Sequence, residues 1–125
     1  MRIAIIEAAY YKEISAALNL GVINTLKEDY GIEASSITTY SVTGAYELPL
    51  VAKWALDAEQ FDGVIALGCV IKGQTDHDVY INQSVFNHFT ALALEYGTPI
   101  INGVLTTNSR DQAWARAGGN DSVER

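Results

Sequence analysis

Ile3-Ala4-Ile5-Ile6 is a short apolar run without polar alternation, the pattern of a strand covered on both faces. The period then lengthens. Ile14, Leu18, Val22 and Leu26 recur every four residues while Lys27, Glu28 and Asp29 face outward, which predicts a helix closed by Gly31 at a C-terminal cap. Residues 35–42 are rich in β-branched and hydroxyl side chains in alternation, so a second, more peripheral strand is expected there. Gly44-Ala45-Tyr46-Glu47-Leu48-Pro49 opens a second helix, with Pro49 tolerated in its first turn and Leu48, Val51, Ala52 and Ala55 forming its buried stripe. Residues 64–71 carry no charge and form the strongest buried-strand signal in the chain, so they predict a central strand. A third helix places Ile81, Val85, Phe89, Leu92 and Tyr96 on one face and stops at Gly97, with Pro99 beyond. Residues 100–105 read as a fourth strand, and Asn108 or Ser109 can cap a last short helix through Ala113, Trp114 and Ala117.

Strands that alternate with helices imply a doubly wound, three-layer α/β/α sandwich around a four-stranded parallel sheet with right-handed crossovers. Ligands of such sheets bind outside the carboxyl ends of the strands, so residues 8–13, 42–49, 71–78 and 105–110 are the loops to search. Two frequent occupants of this architecture are excluded by those loops. A receiver domain needs clustered carboxylates for Mg²⁺ at the first and third strand ends, and only Glu7 stands there. A flavodoxin needs a hydroxyl-rich first loop, and this one reads Ala8-Ala9-Tyr10-Tyr11.

Composition narrows the partners. The 125 residues suffice for one domain, and 49% hydrophobic against 18% charged residues is the balance of a packed globule. Eight cations against fifteen acids give a net charge of −7, with the cations scattered from Arg2 to Arg125, so neither nucleic acid nor a membrane surface is expected as a partner. The lone Cys69 lies in an apolar run and cannot pair within the chain, and the first apolar run is too short for a secretion signal. A soluble, cytoplasmic protein is expected.

The third loop carries the most pointed chemistry. Lys72-Gly73-Gln74-Thr75-Asp76-His77-Asp78 joins a cation, a glycine, a hydroxyl and a histidine at the mouth of a helix, where backbone amides can hold a phosphate. His77 can move protons near neutral pH. Its flanking carboxylates favour the charged ring, whereas the helix terminus opposes it. The same residues also fit a capping box, Thr75-x-x-Asp78, with an exposed histidine. Glu47 fits either a ligand contact or an acid favoured by a helix dipole. Tyr10 and Tyr11 fit either stacking on a heterocycle or packing.

Together the loops resemble the lumazine synthases of riboflavin biosynthesis. Three blocks carry the resemblance: Gly44 to Pro49 as quoted above, Ala66-Leu67-Gly68-Cys69-Val70-Ile71-Lys72-Gly73-Gln74-Thr75-Asp76-His77, and Gly103-Val104-Leu105-Thr106-Thr107 with Gln112-Ala113 and Arg116-Ala117-Gly118-Gly119. With Arg2-Ile3-Ala4-Ile5 they span nearly the whole chain in the family's order and spacing. The resemblance implies a flavodoxin-like fold and condensation of 5-amino-6-(ribitylamino)uracil with 3,4-dihydroxy-2-butanone 4-phosphate, without a metal or organic cofactor. By motif position, His77 is the proton-transfer residue and Tyr10 the stacking aromatic, while Ala45 and Glu47, flanking Tyr46, face the ribityl chain. Cys69, Val70 and Ile71 meet the pyrimidine through backbone groups. Gly73, Gln74 and Thr75 cradle the phosphate, joined by Arg116. The family builds this site between neighbouring subunits of a pentamer, some of which assemble into decamers or sixty-subunit shells, with the segments around Asn102 and Arg116 supplied by the next chain.

This chain departs from that pattern at several positions. Thr43 replaces a common proline, Ala9 an arginine, and Asn102 an aromatic or aliphatic residue. Asp78-Val79 follows His77 where an aromatic and then an acid are usual, and Asn120 stands where a lysine is frequent. The last residues, 121–125, replace a basic loop, so the family's long last helix is expected to be missing, together with its leading segment. These departures also fit a catalytically weak relative that binds lumazine or riboflavin, or that serves in assembly.

Overall fold

Strands with apolar side chains on both faces need a layer of helices on each side, and the two uninterrupted apolar runs accordingly occupy the middle of the sheet. The computed structural model describes residues 1–118. Its elements run β1 (Ile3–Ala8), α1 (Lys12–Glu28), β2 (Ile37–Val42), α2 (Leu48–Asp57), β3 (Gly63–Ile71), α3 (His77–Tyr96), β4 (Ile100–Thr107) and α4 (Arg110–Arg116). The sheet order is β2-β1-β3-β4, with every neighbouring pair parallel. Readings made on Gly119, Asn120 and residues 121–125 lie outside the described residues. No helix among those described is long and apolar enough to cross a membrane.

Alternation along β1 divides the core in two. Ala4, Ile6 and Ala8 pack with Leu48, Val51, Ala52 and Ala55 of α2 and with Val85 and Phe89 of α3. Ile3 and Ile5 pack on the opposite face with Leu67 and the α1 stripe Leu18, Val22 and Leu26. The α2 and α3 stripes expected from sequence are therefore the buried ones, with Ile81, Leu92 and Tyr96 partly covered at the ends of theirs. β2 is the half-exposed edge.

Boundaries differ where local turns or pairing decide them. Ser35 and Ser36 belong to a 3₁₀ turn, Ala34–Ser36, closed by the Ser36 N–H donating to Glu33 O at 2.9 Å; the strand starts at Ile37. Ala45–Glu47 is likewise a 3₁₀ turn, so α2 begins at Leu48. β4 continues to Thr107 because Val70 and Ile71 of β3 still pair with Thr106 and Thr107. Gly31 and Gly97 leave their helices at φ +66° and +64°, a left-handed conformation that favours glycine. Of the two cap candidates for α4, Ser109 accepts the Gln112 N–H at 3.2 Å, and Gln112 Oε1 accepts the Asn108 N–H at 2.9 Å.

Gly103 answers a different demand. A Cβ there would stand 2.9 Å from Ala66 O and 2.9 Å from Leu67 Cδ2, so β4 lies against β3 only because this position has no side chain.

Candidate active site

All four strands point the same way, and the carboxyl ends of β1, β3 and β4 form one rim with the loops that follow them. After β1, the Ala9 N–H donates to Val42 O at 2.8 Å, which ties the first loop to β2. Tyr10 and Tyr11 follow as an edge-to-face pair with ring centroids 4.9 Å apart and planes at 86°. Tyr10 is 68% exposed, leaving its ring free for a second partner.

The second loop is fixed from within. Glu47 Oε1 accepts the Gly44 N–H at 2.9 Å, and the Glu47 N–H returns to Gly44 O at 3.2 Å. Ala45 is buried by this turn, whereas Tyr46 stands 66% exposed.

β3 ends with Cys69 and Ile71 half-buried and Val70 buried. Burial pushes the Cys69 thiol above its ordinary range, against a hydrogen bond from Thr107 and the charge of Arg110. The thiol is therefore neutral near pH 7 and is not a ready nucleophile. Burial likewise raises the Tyr11 hydroxyl, reinforced by Cys69 and Tyr10 and opposed by Arg110.

The third loop leaves β3 with the Lys72 N–H donating to Thr107 O at 2.9 Å. Thr75 Oγ1 then accepts the His77 N–H at 3.3 Å, and α3 begins with His77 itself. The reciprocal half of a capping box is not made. Asp76 occupies the N-cap position, and Asp78 Oδ1 lies buried without a hydrogen-bond partner.

An open cavity of about 490 Å³ lies over these loops. It brings together Tyr10, Ala45, Tyr46, Cys69, Val70, Ile71, Gly73, Thr75 and His77, expected from sequence across three separate loops. It also draws in Tyr11, Gly44, Asp78 and Ile81, to which no ligand role came from motif position. Tyr11 and Asp78 are immediate neighbours of expected residues, and Gly44 precedes Ala45. Ile81 carried only a core signal, because its place in the α3 stripe hides its second role.

Four expected residues do not line this cavity. Glu47 is turned back onto Gly44, and Gln74 points to solvent from an exposed loop. Asn102 lies exposed on the edge strand β4, where its Oδ1 accepts the Val104 N–H at 3.0 Å. Arg116 ends α4 with its guanidinium donating to Gln112 O at 3.3 Å. Among the described residues, no three His, Cys, Asp or Glu side chains converge on a position for a metal ion.

Chemically, the cavity offers an exposed aromatic face, a strand end with free backbone groups, a glycine-threonine turn at a helix mouth and an imidazole beside it. Such a set can bind a flat polar heterocycle, hold a small anion and transfer protons between them.

Known proteins match along the same residues. A family model described as 6,7-dimethyl-8-ribityllumazine synthase matches residues 1–125. Proteins named 6,7-dimethyl-8-ribityllumazine synthase from two strains of Coxiella burnetii, CbuG_Q212 and RSA 493 / Nine Mile phase I, are 42% identical over 118 residues, which is 94% of this chain and 78% of theirs. The protein of the same name from strain Dugway 5J108-111 is 41% identical over the same spans. With its parallel sheet, its loop constellation and this match in hand, the chain belongs to the 6,7-dimethyl-8-ribityllumazine synthase family.

Proposed function

We propose that the protein condenses 5-amino-6-(ribitylamino)uracil with 3,4-dihydroxy-2-butanone 4-phosphate to give 6,7-dimethyl-8-ribityllumazine, phosphate and water. The observation that carries the reading is that His77 lines the same cavity as the Gly73-Thr75 turn and Tyr10. The pyrimidine stacks on Tyr10 and meets the backbone of Cys69, Val70 and Ile71, while the phosphate rests on amides from Gly73 to Thr75, including Gln74. Amine attack on the ketone forms an imine and releases water. Loss of phosphate follows, ring closure onto the remaining carbonyl releases a second water, and His77 carries the protons that these steps exchange. Cys69 contributes backbone groups and bulk, in keeping with its neutral thiol.

Glu47 is held by the Gly44 amide through one oxygen, which leaves Oε2 for hydroxyls of the ribityl chain. Asn102 and Arg116 act from a neighbouring subunit, so the working form is a homopentamer or a multiple of one. The exposed apolar surface supports this. Leu50 and Trp54 stand 52% and 60% exposed on α2, and Tyr46 and Tyr80 line a second, shallower depression beside His77 with rings largely open to solvent. A cytoplasmic location fits a free, unpaired cysteine and a small-molecule biosynthetic reaction.

The direct test supplies both substrates to the purified protein and follows lumazine fluorescence, with each substrate omitted in turn. No rate above the uncatalysed reaction counts against the enzyme. It would favour a binder of lumazine or riboflavin, a reading to which the unpartnered Asp78 oxygen beside His77 also points.

Three further outcomes are expected. Arg116→Ala raises the KM for the butanone phosphate by about 10- to 100-fold, because a guanidinium facing a dianion makes charge-assisted hydrogen bonds, and leaves the pyrimidine KM nearly unchanged. Glu47→Ala shows the reverse preference, and equal losses for the two substrates in either variant would contradict these placements. Trp54→Asp weakens subunit association about thirtyfold or more, as loss of a buried interfacial tryptophan does. Light scattering then detects smaller species, and activity falls with them; an unchanged assembly would remove α2 from the interface.

A further inference from the structure

Behind the cavity's aromatic face stands a short series of contacts that joins three separate elements. Arg110, the first residue of α4, places its guanidinium carbon 5.8 Å from the centre of the Tyr11 ring. Its Nη2 lies 3.7 Å from Oε2 of Glu13, in the first turn of α1. Tyr11 in turn meets Tyr10 edge to face, and both rings line the cavity. We infer that Arg110 is a positioning residue, acting through Tyr11 to fix the plane of Tyr10 against which the heterocycle stacks.

Apart from Tyr11, little holds Tyr10. Its ring is largely exposed, and the loop's backbone anchor to β2 lies one residue earlier, at Ala9. A free tyrosine side chain samples several rotamers, and ordering one on binding costs affinity. Tyr11 is the partly buried member of the pair and limits where the Tyr10 ring can turn. A cation over its ring holds Tyr11 in place, with Glu13 as that cation's exposed ion-pair partner. The effect belongs to the heterocycle and not to the phosphate, since Arg110 does not itself line the cavity.

For the identity of its ligand, though not for its geometry, the inference rests on the lumazine synthase reading. The test titrates the fluorescent product 6,7-dimethyl-8-ribityllumazine into wild type, Arg110→Gln, Arg110→Lys, Tyr11→Leu and the Tyr11→Leu/Arg110→Gln pair, with KM measured for each substrate. Arg110→Gln keeps the stem and removes the cation, and is expected to weaken binding about fivefold, with Arg110→Lys, which keeps the charge but not the planar fork, losing less than Arg110→Gln. The KM for the pyrimidine rises in parallel, while kcat and the KM for the butanone phosphate stay within about twofold. Tyr11→Leu shows the same loss, and adding Arg110→Gln to it causes no more. The near-ultraviolet circular dichroism of the tyrosine pair falls together in the single Gln and Leu variants.

Unchanged binding in Arg110→Gln overturns the inference. So does a selective rise in the KM for the phosphate substrate, which would make Arg110 a direct anion ligand, and so does additivity in the double variant. A wild type that binds lumazine with this Arg110 dependence yet shows no turnover removes the enzyme reading and leaves the inference standing; one that binds none removes both.

Discussion

His77→Ala is expected to lower kcat by about 10²- to 10⁴-fold, the range associated with removing a positioned proton-transfer group. Several features make the variant clean. His77 is exposed at the first position of α3, so its loss leaves no hole in the core, and alanine is the best helix former. The hydrogen bond at that helix mouth runs from the backbone N–H of residue 77 to Thr75 Oγ1 and survives the change. Both KM values should therefore stay close to wild type, because stacking on Tyr10 and the Gly73-Thr75 turn are untouched. Steady-state kinetics on the variant and wild type measure both. A kcat within about threefold of wild type would show that protons move by another route, with Asp78 as the carboxylate that lines the same cavity.

Gly103→Val should have the largest effect on the fold. The added Cβ meets Ala66 O and Leu67 Cδ2 at 2.9 Å each, and although a leucine methyl can turn away, a carbonyl oxygen in the central strand cannot. Ala66 is fully buried and lies in β3, which is paired on both sides. Overpacking of this kind costs about 1–3 kcal/mol. For a chain of this length that lowers Tm by about 3–15 °C. Gly73→Ala is the control, because no atom beyond its chain neighbours lies within 4 Å of the Cβ that it adds, and its Tm should match wild type within about 2 °C. Thermal unfolding followed by circular dichroism separates the two, and equal Tm values for Gly103→Val and wild type would mean that β4 can draw away from β3 at little cost.

Much of this architecture was legible from period and punctuation alone. β1, β3 and the α3 stripe stood out because burial on both faces, or along one stripe, forces the residue pattern. The two 3₁₀ turns did not, since three residues are too few to establish a period, and Ser35-Ser36 carries the same hydroxyl signature as the strand after it. β4 runs past its apolar stretch because its partner strand extends it, which no local signal encodes. In the site, residues tied to strand ends were legible, since the topology dictates where those ends converge. The orientation of Glu47 was not, because it is decided by a contact of its carboxylate with the Gly44 N–H and not by its place in the motif. Ile81 was hidden by serving the core and the cavity at once.

The side-chain bond from Asn102 to the Val104 N–H has a consequence for how copies of this chain can meet. It occupies a main-chain donor on the free border of β4, so a strand approaching from that side finds part of its hydrogen-bonding ladder already taken. Contact there is left to side chains, which favours a neighbour of defined shape over an arbitrary extended peptide. β2, at the opposite border, pairs only with β1 among the described residues and carries no comparable plug. Under stress, runaway strand-to-strand stacking should therefore begin at residues 37–42, and a lysine placed at Thr39 or Ser41 should slow it.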